Sequence, residues 1–242
     1  MSLIPEGVEY DLGSIPTQLF MTWVVWGVLF VVSFVGLKKK QLIPGGVQNV
    51  FESIFEYVFN LADDVIGHES EKFYPLLAGL FTFILTANLI GLIPGFTSPT
   101  SDPNLTAALA LMVFVYYHFQ GIKAHGFGYV KHFMGPKLPI YLLPVKILMI
   151  VTELIGAIAK PFSLAMRLFC NIFSKEMLLA VLAFILVNFY FGHTVSEKIL
   201  IIAPVILRPF VLLLGLVVGV IQALIFTILT VFYISGAVHS EE

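Results

Sequence analysis

"KPFSLAMRLFCNIFSKE", residues 160–176, sets an arginine in the middle of a stretch that otherwise suits a membrane helix. Leu164, Ala165, Met166, Leu168, Phe169, Ile172 and Phe173 are apolar; Arg167 is not. The stretch lies inside a long apolar run, Val145–Phe191. As one helix rising 1.5 Å per residue that run would cover ~70 Å, and a second run, Leu200–Val238, ~58 Å. A bilayer core of ~30 Å needs only about 20 residues. Either each run breaks into two spans, at Pro161 and Pro209, or each is one strongly tilted helix. A break would put "SLAMRLFCNIF" in a loop exposed to water, so the long tilted helix is the preferred reading.

Working outward, three more runs are long enough to cross. Leu12–Leu37 is closed by Lys38, Lys39 and Lys40. Phe73–Pro94 contains Asn88 and ends in "NLIGLIPG". Pro103–Ile122 follows the turn-rich "GFTSPTSDPN". Between the first two, Val47–Ile66 alternates Phe51, Ile54, Phe55 and Val58 with Glu52, Glu56, Asp63 and Asp64. That period suits a helix lying on the membrane surface. A loop rich in lysine, histidine and glycine follows the third run, at 123–139. The 242 residues are 59% hydrophobic and 12% charged, about half the charged fraction of soluble domains. The fold expected is therefore an all-α integral membrane protein. It forms a single polytopic domain over 1–242, with about five crossing helices at 12–37, 73–94, 103–122, 145–191 and 199–238. Residues 47–66 make the surface helix, and 1–11 lie outside.

Lysine and arginine placement sets the orientation. Lys38–Lys40 put the end of the first span inside, and alternation then places Lys72, Lys123, Lys131, Lys137 and Lys146 inside too. Glu6, Glu9, Asp11, Asp102, Glu197 and Lys198 stay outside. The N-terminus is expected outside and the C-terminus in the cytoplasm. No positive n-region of a signal peptide and no transit peptide are seen, so a bacterial inner membrane is expected in preference to an organelle. A net charge of −2 without a basic arm gives no reason to expect nucleic acid, and the single cysteine, Cys170, excludes an internal disulfide.

On a helical wheel with Arg167 at zero, Glu153 and Asn171 fall at about +40° and Lys160 at about +20°. Ser163 falls at about −40° and Ser174 at about −20°, so these residues form one polar stripe. Glu176 falls at about 180°, on the back of the same helix. Glu153 lies ~21 Å to the inner side of the arginine and Glu176 ~13 Å to its outer side. A guanidinium at the bilayer centre costs at least ~2.5 kcal/mol and needs a partner or a wet cavity. No acid stands three or four residues from Arg167, so its partner must come from elsewhere. A structural ion pair is the plain explanation, and an ion-path residue the functional one. In the last run, Gly215, Gly219 and Ala223 suit close helix packing. The buried amide of Gln222 needs a hydrogen-bond partner, for which the Arg167 stripe is the best candidate.

"KPFSLAMRLFCNIFSKE", with "ELIG" seven residues upstream and "GVIQALIFTILTVFYISGAV" near the end, resembles subunit a of the F-type ATP synthase. "TANLIGLIPG" and "TSDPNLTAALAL" are similar to that family's second and third spans. The resemblance implies an ion-translocating stator subunit that flanks a ring of c subunits, each with one buried carboxylate. Further implied partners are the peripheral-stalk b subunits, the rest of the synthase and membrane lipid. By resemblance Arg167 is the essential arginine, Asn171 its polar neighbour and Gln222 the later glutamine. Glu153 is the inner half-channel acid and Glu176 the outer, with Ser163 on the same path. The two long helices would form a tilted hairpin against the ring. The ion is expected to be H⁺, with Na⁺ the alternative, since the ring's own site sets selectivity.

Three positions depart from the family pattern. Cys170 replaces a common glycine, Lys175 stands where a small residue is usual, and Gly215 occupies a place that some members give to a histidine or an acid. The partner of Glu176 is open among Asn88, His193 and Asp102. Lys175 points about 100° from Glu176 and is expected to reach the interface. His118, His125 and His132 recur every seven residues, but Gly121, Gly126 and Gly128 interrupt the helix, so a polar inner loop is expected there and no metal site. No Gly-rich phosphate loop, Ser-His pair or paired-acid arrangement appears, so the chain is expected to need no cofactor and to catalyse no reaction itself. A self-contained transporter would show paired broken helices in internal repeats, and none is seen. A pure scaffold would have no use for Arg167, Glu153 and Glu176 spaced along one helix.

Overall fold

The computed structural model describes residues 16–38, 46–67, 69–93, 95–126, 128–129, 143–190 and 195–239. Among them are six α-helices, two short 3₁₀ turns and no strand. The helices are α1 (Thr17–Lys38), α2 (Gly46–Ile66), α3 (Tyr74–Ile90), α4 (Pro103–His125), α5 (Leu143–Tyr190) and α6 (Val195–Val238). The 3₁₀ turns are Ser70–Phe73 and Pro99–Ser101. Five helical segments are long and apolar enough to cross a membrane: Thr17–Phe34, Ser70–Ile90, Pro103–His125, Val145–Phe189 and Ile201–Val238. The all-α membrane fold read from the sequence is the fold found.

Pro161 lies inside α5, and Pro204 and Pro209 inside α6, without ending either helix. A proline removes one backbone donor and crowds the preceding turn. Apolar surroundings keep such a helix intact because an open backbone there would leave still more groups unpaired. At 48 and 44 residues, both helices far exceed a perpendicular crossing.

The chain divides into two compact units. The first draws on the described residues of Met1–Lys40, Phe81–Leu105 and Leu168–Leu224. Its core takes Met21 and Val25 from α1, one turn apart, with Phe81, Ile84 and Ala87 of α3 and Leu168, Ile172 and Ala223 of the long helices. Trp26 and Phe83 meet with ring centroids 5.6 Å apart. Lys175 lies against Gly215, and Asn171 bonds Gln222, so α5 and α6 run antiparallel within this unit.

The second unit draws on Gln41–Leu80, Thr106–Arg167 and Ile225–Glu242. α2 turns Val58, Ala62 and Ile66 inward and leaves Glu52, Glu56, Asp63 and Asp64 exposed, as the amphipathic period predicts. Ser70 Oγ and the Tyr74 hydroxyl both donate to Asp63 Oδ1, which ties the end of α2 to the start of α3. The two donors, Ser70 first, hold the Asp63 carboxyl below the usual carboxylate range. Ser235 Oγ donates to the Val65 carbonyl, and a His125 ring nitrogen bonds the Val238 carbonyl at 2.7 Å, so α6 is fastened to both α2 and α4.

Candidate functional site

Glu176 lies in the first unit, half-buried on α5. The backbone N–H of Ser98 donates to its Oε1 at 2.8 Å. Ser98 stands in the turn after α3, and that turn is held tightly. Ser98 Oγ donates to the Ala87 carbonyl at 2.8 Å, which satisfies one of the carbonyls orphaned at the end of α3. A Cβ added to Gly91 would lie 2.6 Å from Ser98 Cβ, so only glycine lets the turn fold back so closely. Thr100 Oγ1 donates to Asn88 Oδ1 at 2.8 Å and lies 2.7 Å from Ser98 Oγ. Asn88 Nδ2 donates in turn to the Gly219 carbonyl of α6 at 3.1 Å. Ser98, Thr100 and Asn88 are all buried, so Glu176 sits at one end of a buried polar chain that reaches α6.

Two hydroxyl protons serve three contacts in that chain. Ser98 and Thr100 each carry one proton, while the Ala87 carbonyl, Asn88 Oδ1 and the Ser98–Thr100 contact all call for one. The network has more than one proton arrangement of the same heavy atoms.

A second polar pair joins the long helices. Asn171 Nδ2 donates to Gln222 Oε1 at 2.9 Å. Gln222 is buried, and its Nε2 has no hydrogen-bond partner among the described residues. Lys175 is a correction to the sequence reading. It does not reach an interface, for its Nζ is buried and has no hydrogen-bond partner among the described residues. The stem lies over Gly215, where a Cβ would come within 2.7 Å of Lys175 Cδ. Gly215 leaves room for the stem, which the wheel angle of Lys175 alone does not reveal.

In the second unit Glu153 lines a cleft that is partly open to the surroundings. Tyr117 and His118 of α4, Tyr129, Lys160 of α5 and Tyr233 of α6 also line it, with small residues Ala157, Gly236 and Ala237 leaving the space. His118 Nδ1 donates to the Phe114 carbonyl at 2.9 Å, which fixes the ring. Lys160 Nζ stands 6.0 Å from the Tyr233 ring centroid, a loose cation–π contact. Tyr129 lies so close to Gly121 that a Cβ there would be 2.4 Å from its ring. Burial first, and then the Glu153 carboxylate, push the Tyr129 hydroxyl above its ordinary value.

Arg167 is exposed on α5 and has no hydrogen-bond or ion-pair partner among the described residues. Ser163, one turn earlier, is exposed too.

A family model for the ATP synthase A chain matches residues 19–235. The chain belongs to the ATP synthase subunit a family. It is 40% identical over 222 residues to ATP synthase subunit a of Oleidesulfovibrio alaskensis, covering 92% of this chain and 86% of that one. It is 38% identical over 218 residues to ATP synthase subunit a 3 of Pelobacter propionicus, covering 90% and 86%. Against ATP synthase subunit a of Geobacter sulfurreducens the identity is 37% over 218 residues, covering 90% and 86%.

In this subunit a chain the structure joins Asn171 to Gln222, as the sequence suggested for the buried amide. It joins Asn88 to Glu176 only through Thr100 and Ser98. Asp102 caps α4, accepting the Asn104 backbone N–H at 2.9 Å. His193 lies outside the described residues. Ser98, Thr100, Tyr117, His118 and Tyr233 were not singled out for the site from the sequence. Nothing local in the sequence sets a serine or threonine of a turn, or a tyrosine on an apolar helix, apart from its neighbours. His118 was weighed only as a metal ligand, yet its place in the cleft depends on α6, more than a hundred residues away.

Proposed function

We propose that this member of the subunit a family is the proton-translocating stator of a bacterial inner-membrane ATP synthase. It works against a ring of c subunits and is held by peripheral-stalk b subunits. Glu153 serves access from the cytoplasmic side and Glu176 access from the outside. Arg167 separates the two. The N-terminus lies outside and the C-terminus in the cytoplasm. α5 and α6 lie tilted along the ring.

One observation carries the reading. A single unbroken helix, α5, holds an exposed arginine without an ion-pair partner among the described residues, preceded by one acid that lines a cleft and followed by another that ends a buried polar chain. An exposed cation on an apolar helix calls for an opposite charge that this chain does not supply among its described residues. A ring carboxylate has the right charge. Facing lipid it must be neutral, because a bare charge there is costly. Facing Arg167 it is better ionised, because an adjacent cation lowers its pKa. So a proton leaves the ring site on approach to the arginine, and another binds after it has passed. With the two acids serving opposite sides, transport requires rotation. Each proton that crosses supplies ~2.3 kcal/mol per 100 mV. Ser163 and Asn171 face the ring site, and the buried Gln222 holds Asn171 in place through its hydrogen bond.

The test is coupled ATP synthesis in vesicles with the assembled complex. Arg167→Ala should abolish it. Arg167→Lys should fail as well, because a point ammonium lacks the planar, delocalised fork of guanidinium. Near-normal synthesis in the alanine variant would sink the assignment.

A further inference from the structure

Gln222 is 2% exposed, and only one end of its amide is served. Its Oε1 accepts from Asn171 Nδ2 at 2.9 Å, while its Nε2 is buried without a hydrogen-bond partner among the described residues. Nε2 is closed to solvent too, so water does not relieve it. A methionine would fill nearly the same space without leaving a polar atom unpaired. The remedy has to come from a protein group, and Asn171 carries it. Its amide is exposed on α5, one turn past Arg167, and its Oδ1 has no partner among the described residues. A half-turn of both amides lets Gln222 Nε2 donate to Asn171 Oδ1 and turns Asn171 Nδ2 outward. Nitrogen and oxygen of a side-chain amide occupy nearly the same space, so the neighbours need not move. The buried atom then left over is a carbonyl oxygen, which stands unpaired more readily than an N–H.

The two arrangements present opposite chemistry at the exposed amide. One shows an acceptor oxygen, the other a donor N–H. A protonated carboxyl has an O–H to give, and a carboxylate has only lone pairs with which to receive. We propose that Asn171 and Gln222 form a reversible amide pair that meets the ring carboxyl in both of its protonation states, the two amides turning together as the proton leaves or returns. The proposal rests on the reading that this face of α5 meets the ring. Asn171 is the group that touches the carboxyl; Gln222 acts through it and is a positioning residue. No covalent bond breaks within the pair, and the proton itself travels by the access paths. An amide fixed in one orientation would set N–H against O–H, or oxygen against carboxylate, in one of the two states. Facing the carboxylate, the arrangement with N–H outward gains a charge-assisted hydrogen bond. Each state of the ring thus selects the arrangement that binds it better, and the mismatch is removed.

Gln222→Met removes the amide and keeps the length. Proton flux in vesicles and thermal unfolding in detergent are measured on the complete synthase. Flux should fall about tenfold, ~1.4 kcal/mol of barrier. The unfolding midpoint should stay at or above the parental value, because an unpaired buried donor is gone. Parental flux overturns the proposal, and so does a fall in the midpoint alongside the fall in flux, which marks a merely structural bond. Solid-state NMR of isotope-labelled side-chain amides separates a turning pair from a fixed one. The Gln222 signal is identified by its loss in Gln222→Met. It should pass from an unbonded to a bonded amide proton as the pH is raised through the titration of the ring carboxyl. That change should vanish when the ring carboxyl is replaced by its amide. A Gln222 signal that keeps one form throughout overturns the proposal, as does a change that persists with the amide ring. Arg167→Ala separates the pair from the reading on which it rests. If Arg167→Ala abolishes synthesis and Gln222→Met keeps parental flux, the pair alone fails. If Arg167→Ala makes ATP normally, this face of α5 is not the one that meets the ring, and the pair falls with that reading. Should Gln222→Met not assemble, Asn171→Leu removes the same hydrogen bond from the exposed side and should give the same loss of flux. Parental flux in that variant overturns the proposal.

Discussion

Glu176 is held by a backbone amide and not by a base. The Ser98 N–H contact needs an acceptor oxygen, which a glutamine also offers. Glu176→Gln therefore keeps the local geometry and removes only the titrating proton. In reconstituted vesicles, proton flux should fall several-fold while ATP made per proton stays unchanged, because Arg167 in its proposed role still blocks the leak. A glutamine variant that leaks protons without making ATP would refute the separation of roles between the two residues. One at full speed would hand the outer path to another group. Beside it, Lys175 shows where reading a single helix stops. Its angle on the wheel was legible. Its burial was not, because that depends on Gly215, forty residues further along the chain. That Gln222 would bond the Arg167 stripe was legible for the opposite reason, though not that Asn171 would be the partner. A buried amide must find a partner, and few polar groups compete for it in so apolar a sequence.

At the scale of elements, the helices were readable because each apolar run is long and the polar breaks between runs are sharp. The continuity of α5 and α6 through Pro161 and Pro209 was a choice between two readings, decided by the cost of exposing an apolar stretch. What the sequence did not reveal was the turn between α3 and α4. "GFTSPTSDPN" reads as loop chemistry, and nothing local says that its amide meets Glu176 or that Thr100 meets Asn88. The glycines of α6 carried a clearer signal. Gly219 does mark a close approach, and the neighbour is Asn88 of α3, whose Cβ would stand 3.2 Å from an added Cβ. Asn88 cannot swing aside, since it bonds both Thr100 and the Gly219 carbonyl. Gly219→Val should therefore destabilise the subunit by ~1–3 kcal/mol, the usual cost of overpacking. Gly27→Ala, with nothing within 4 Å of the added Cβ, should be neutral. Thermal unfolding of the purified complex in detergent makes the comparison. Equal stability of the two variants would mean that the α3–α6 approach is looser than the hydrogen bonds imply.

For the molecule as a whole, the bilayer decides the fold and the lysines decide the orientation. Lys38, Lys39 and Lys40 follow the first span, and alternation of five spans puts Lys72, Lys123, Lys131, Lys137 and Lys146 on the same side as that cluster. Cytoplasmic loops hold such an excess of positive charge, and the proposed topology therefore turns this side inward and the N-terminus outward. The opposite topology would translocate nearly every lysine of the connecting segments. Glu153 precedes Arg167 on a helix that, in the proposed topology, runs from inside to outside, and the proposal therefore opens its cleft to the cytoplasm. The test needs a single reporter thiol. Cys170 is exposed and is first replaced by serine. A cysteine at Ala157, which lines the cleft beside Glu153, is then treated with a membrane-impermeant thiol reagent. In inverted vesicles, where the cytoplasmic face is outermost, labelling should be rapid. In right-side-out vesicles or whole cells it should be slower by at least tenfold, a bias of ~1.4 kcal/mol or more in access. Labelling from the outer face alone would invert the topology and exchange the sides assigned to Glu153 and Glu176. The role proposed for Arg167 would survive that exchange, because a cation that bars the way between two access paths bars it in either direction.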